Sequence, residues 1–82
     1  FEELKKHYEE LAVEFDVARE FIKARVKAHM TQKEVADAMN TTQSVIARLE
    51  SGKSTPSMNT INRFAKAVGM YPKLHFEPLH HN

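Results

Sequence analysis

The sequence predicts an all-α fold, and three features of its 82 residues carry that prediction. Residues 2–28 contain neither Gly nor Pro, and Leu4, Tyr8, Leu11, Phe15, Ala18, Ile22 and Val26 recur at spacings of three and four, the period of an amphipathic helix. Residues 31–53 read as two short helices joined by a tight turn and stopped at Gly52. Residues 57–69 carry a further apolar helical face, with Met58, Ile61, Phe64, Ala65 and Val68 on it. The expected organisation is an acidic helical extension over residues 1–16, a helical domain over 17–69 and a tail over 70–82.

Each element has a local cause. Asp16 is able to cap a fresh helix beginning at Val17, which leaves open one long leading helix or two packed segments. Thr31, followed three residues later by Glu34, is a capping-box pair, and the helix it opens buries Val35, Ala36 and Met39 before ending near Asn40. Asn tolerates the left-handed backbone that such a turn requires. Thr42 caps the next helix, from Gln43 to about Ser51, and Ser57 caps the last, from Met58 to Val68, with Gly69 as its stop. In the tail, Leu74 and Phe76 alternate with Lys73, His75 and Glu77, so the period becomes two and a short C-terminal β-strand is expected. A lone strand leaves its backbone groups without partners in its own chain. It would need a two-fold mate or another protein's sheet edge; the alternative is an extended tail with Leu74 and Phe76 tucked into the core.

Composition narrows the classes. With no cysteine there is neither a disulfide framework nor a thiolate zinc site, and a reducing cytoplasm fits. No apolar run approaches the roughly 20 residues of a membrane span. The five histidines show no spacing that converges on a metal or a nucleophile, so no metal, no cofactor and no enzyme are expected. The net charge of +1 hides an asymmetry: residues 1–20 hold seven acids against three bases, and residues 21–82 hold nine bases against four acids. Phosphate affinity depends on such a local basic face, not on the total.

The paired helices over residues 31–53 form a helix-turn-helix pattern, in which the second helix enters the DNA major groove. At 100° per residue that helix turns Thr42, Ile46 and Leu49 to one side and Ser44, Ala47, Arg48 and Ser51 to the other, with Gln43 and Val45 flanking the exposed face. Those side chains suit base edges: Gln43 for adenine, Arg48 for guanine, Ser44 for base or phosphate and Val45 for a thymine methyl. In isolation such a segment is an ordinary solvated helix face; the helix and turn before it favour the DNA reading. Glu50 falls near the core side, and Arg25 lies close to the apolar stripe of its own helix. Charges at desolvated positions need partners, so an Arg25 to Glu50 ion pair is predicted.

Residues 17–69 resemble the Cro/C1-type (XRE-family) helix-turn-helix domain of phage repressors, a lambda-repressor-like fold. The resemblance lies in Arg25, Thr31-Gln32, Val35-Ala36, Gln43-Ser44, Ile46, Glu50-Ser51-Gly52-Lys53, Pro56-Ser57 and Ala67-Val68-Gly69. It implies base-facing roles for Gln43, Ser44, Val45, Ala47 and Arg48, and phosphate contacts from Gln32, Lys53, Ser54, Thr55 and Asn59. It also implies pairing between Arg25 and Glu50. His29 and Asn40 depart from the pattern, standing where glycine is usual. The acidic helix before the domain and the KLHFEPL segment after it resemble HigA-type antitoxin regulators, implying a homodimer on double-stranded operator DNA and a small ribonuclease toxin as partner. A stand-alone repressor, or a protein-interaction module with a degenerate helix-turn-helix, are the competing expectations.

Overall fold

The computed structural model describes residues 2–79, with side chains described over 12–79. Residue 1 of the predicted extension, residues 80–82 of the predicted tail and the side chains of Leu4, Tyr8 and Leu11 lie outside that description. Among the described residues four helices follow one another: α1 (Glu2–Lys27), α2 (Gln32–Ala38), α3 (Gln43–Leu49) and α4 (Met58–Ala67). Helix α1 runs unbroken for 26 residues. Asp16 therefore opens no second helix, and instead accepts from Arg19 Nη1 at 3.0 Å on the exposed face.

The predicted caps form. Thr31 Oγ1 accepts the Glu34 amide at 3.0 Å while Glu34 Oε1 accepts the Thr31 amide at 2.9 Å, so both halves of the capping box are made. Thr42 accepts from the Val45 amide, and Ser57 from the Thr60 amide. The carboxyl of Glu34 is held below its ordinary range, first by the Thr31 backbone N–H and then by the Thr31 side chain. A carboxylate with a lowered folded-state pKa stabilises at pH above its ordinary value, and that contribution disappears as pH falls through the lowered one. Glu34→Gln, which keeps an acceptor but no charge, should therefore melt below the parent chain near neutral pH and converge with it in acid; a gap persisting in acid would sink the assignment.

Three helices close in the same way. The Met30 amide donates to the Arg25 carbonyl and the His29 amide to that of Val26, and equivalent pairs run from Thr41 and Asn40 to Ala36 and Asp37, and from Met70 and Gly69 to Ala65 and Lys66. This motif needs a left-handed residue at its corner, and His29 (φ 58°) and Asn40 (φ 54°) supply it where a side chain is strained. His29→Gly should remove a Cβ penalty larger than the backbone entropy it adds, for a net gain of about 0.5–1 kcal/mol. A melting temperature a few degrees higher is the expected reading; a lower one refutes the strain.

The core sits where the four helices meet: Phe21 from α1, Val35 and Ala36 from α2, Met39 at its end, Ile46 and Leu49 from α3, Phe64 from α4 and Val68 just after it. The Phe21 and Phe64 rings lie 4.6 Å apart, tilted by 56°, a favoured aromatic arrangement. Arg63 Nη2 donates to the Met39 carbonyl at 2.6 Å and ties α4 to the end of α2. Met58, expected on the apolar face of the last helix, is exposed instead.

The expected C-terminal β-strand is not formed. Among the described residues there is no strand, and 70–79 run without regular structure. Alternation of polar and apolar residues sets which way side chains face, but a strand exists only when its backbone finds a second one. Leu74 and Phe76 do not enter the core either, standing 77% and 89% exposed. No described helix is long and apolar enough to cross a membrane.

Candidate nucleic-acid interface

Helix α3 is anchored from below and open above. Ile46 and Leu49 are buried, while Gln43, Ser44, Val45, Ala47 and Arg48 are exposed together along its outer face. Among the described residues the Arg48 guanidinium pairs with no carboxylate, which leaves its planar donor fork available to a guanine edge. The five side chains expected to read bases thus share one surface.

A polar chain holds that surface in place. Arg25 Nε donates to Glu50 Oε2 at 2.6 Å and Arg25 Nη2 to Glu50 Oε1 at 3.0 Å, a bidentate pair between α1 and the residue that caps α3. Arg25 Nη1 also donates to the Met30 carbonyl at 3.0 Å. The pair is largely desolvated, with side-chain exposures of 17% for Arg25 and 5% for Glu50. The hydrogen bond to Glu50 raises the Arg25 pKa, outweighing the opposite effect of burial. Gln32 Nε2 then donates to Glu50 Oε1 at 3.1 Å, and Gln43 Nε2 to Gln32 Oε1 at 3.4 Å. Each amide nitrogen carries two protons, so Gln32 keeps one for a phosphate and Gln43 keeps one proton and its oxygen for a base. The predicted ion pair is present. Its continuation through Gln32 to Gln43 has no local signal, because the partners are separated by 18 and 11 residues.

The remaining phosphate candidates frame α3. Gln32 opens α2, Lys53, Ser54 and Thr55 occupy the loop between α3 and α4, and Asn59 sits exposed in the first turn of α4. Lys53 is exposed, and its amide donates to Ser51 Oγ at 3.2 Å. Ser54 is different: its Oγ is shielded from solvent and has no hydrogen-bond partner among the described residues. Thr55 Oγ1 donates to Glu14 Oε1 at 3.4 Å. The sequence reading missed Glu14 and Phe15 as neighbours of this loop, since they precede it by about forty residues.

Two short capped helices, an exposed polar face on the second and a following loop that carries Lys53 and three hydroxyl side chains beyond it define a helix-turn-helix unit of the kind that binds DNA. A family model described as Helix-turn-helix matches residues 21–73, most of the chain, and the protein belongs to that family, the Cro/C1-type or XRE regulators. It is a DNA-binding transcription regulator. No curated protein and no solved structure gave a match to the chain.

Proposed function

We propose that the protein represses transcription as a homodimer on a pseudo-palindromic operator, and that it is the antitoxin of a type II pair, neutralising a small ribonuclease toxin and repressing its own operon. The observation that carries the repressor reading is the exposed set Gln43, Ser44, Val45, Ala47 and Arg48 above a buried Ile46 and Leu49. Two such helices in a dimer would meet successive major grooves about 34 Å apart. Gln32, Lys53, Thr55 and Asn59, with Ser54 through its backbone, would set the register on phosphates. Support for a protein partner comes from α1, which extends well before the matched residues 21–73 and exposes Phe15, Ile22 and Val26 along one face. Exposed apolar side chains at helical spacing suit a docked protein surface.

The test is to express the chain with its neighbouring gene and purify it by a tag on this chain alone. A small basic protein that co-purifies and arrests growth when expressed alone supports the antitoxin reading. Salt-dependent binding to the upstream DNA with nothing co-purifying supports a stand-alone repressor and removes the toxin from the proposal. Affinity indifferent to ionic strength would instead mark an interaction module, because phosphate contacts weaken steeply with salt.

A further inference from the structure

The loop expected to meet DNA phosphates is not free-standing. Gly52 is buried with φ +76°, and a Cβ built on it would lie 2.8 Å from Phe15 Cδ1 and 3.1 Å from Cε1. The Phe15 ring thus covers the one loop residue whose backbone demands glycine. One residue earlier, Glu14 Oε1 accepts the Thr55 hydroxyl at 3.4 Å. Both α1 residues precede the family-matched segment 21–73, so these contacts come from the part of the chain that the family model does not describe.

The geometry points to α1 as the element that sets the DNA affinity of this loop: Phe15 is a positioning residue that holds it in place, and Glu14 competes with a phosphate for the Thr55 hydroxyl. The inference rests on the reading that loop 53–55 contacts phosphates. A threonine hydroxyl has a single proton to donate. While Glu14 accepts it, a phosphate oxygen cannot, and once it is released the Glu14 carboxylate faces a like charge across the same contact. Phe15 acts in the opposite sense. Without the ring over Gly52, the loop would be ordered only on binding, and DNA affinity would carry that entropic cost. Neither residue touches a base, so neither should alter which sequence is preferred.

The experiment measures binding of the full chain, E14Q, F15A and F15L to several short duplexes of different sequence by fluorescence anisotropy across a salt series, with thermal melts to confirm folding. E14Q keeps side-chain length and an acceptor oxygen while losing the charge, and should bind about threefold tighter or more. F15A should bind about threefold weaker or more, with F15L recovering most of the loss and the ranking of different duplex sequences unchanged. E14Q binding no tighter than the parent overturns the inference, and so does F15A binding with parental affinity. If the unsubstituted chain shows no salt-dependent binding at all, the DNA reading of the loop fails first and takes this inference with it.

Discussion

Arg25→Ala should lower the melting temperature by more than 10 °C, the largest single effect expected outside the hydrophobic core. Removing one partner of a desolvated ion pair typically costs about 3–5 kcal/mol, because the other charge stays buried without compensation. For a chain of this size each kcal/mol corresponds to roughly 4–8 °C. The Glu50 side chain is 5% exposed and would keep only the 3.1 Å bond from Gln32, while the Met30 carbonyl would lose the Arg25 donor. Arg25 retains some solvent contact, which places the effect at the lower end of the range. Arg25→Lys should recover little, since an ammonium cannot reproduce two parallel bonds to one carboxylate. Arg25→Met combined with Glu50→Leu should recover much of the stability, because apolar replacement of both partners leaves no orphaned charge. A melting temperature unchanged by Arg25→Ala refutes the energetic role assigned to the pair.

Arg48→Ala should cost about 1–3 kcal/mol of discrimination at one base pair while leaving affinity for unrelated duplexes nearly intact. Lys53→Ala should do the reverse, weakening every sequence about equally and reducing the salt slope by about one. The contrast follows from position. Arg48 projects from the exposed face of α3 with no carboxylate partner among the described residues, whereas Lys53 lies in the loop beyond the helix. Competition binding with a library of operator variants measures both. Equal losses on all sequences for Arg48→Ala would collapse the division between base reading and phosphate positioning.

Legibility in the sequence tracked the range over which each feature is determined. The capping box of Thr31 and Glu34 spans one helical turn, so both partners are visible together in the sequence and both bonds form. The exposed face of α3 follows from helical geometry once Ile46 and Leu49 are assigned to the core. Arg25 and Glu50 are 25 residues apart, yet each could be read as a charge close to an apolar stripe, and the need for a partner joined them. The bond from Gln43 to Gln32 has no such signal, because an amide is content with solvent and carries no demand for a partner. Arg63 donating to the Met39 carbonyl was hidden for the same reason, its guanidinium lying on an exposed residue.

The tail shows the limit most clearly. The alternation around Leu74 and Phe76 is real, but it states only how side chains would face if a strand existed, and among the described residues no second strand is present to pair with it. By itself the sequence determined the caps of α2, α3 and α4, the left-handed corners at Asn40 and Gly69 and the outward face of α3, because each is set by residues within a turn or two of one another. Only the tertiary structure decided that α1 continues unbroken through Asp16, that Glu50 also accepts from Gln32, and that Glu14 and Phe15 lie against the loop after α3. Those outcomes depend on which surfaces are brought within a few ångströms by burial of the common core, and local sequence carries no record of that distance.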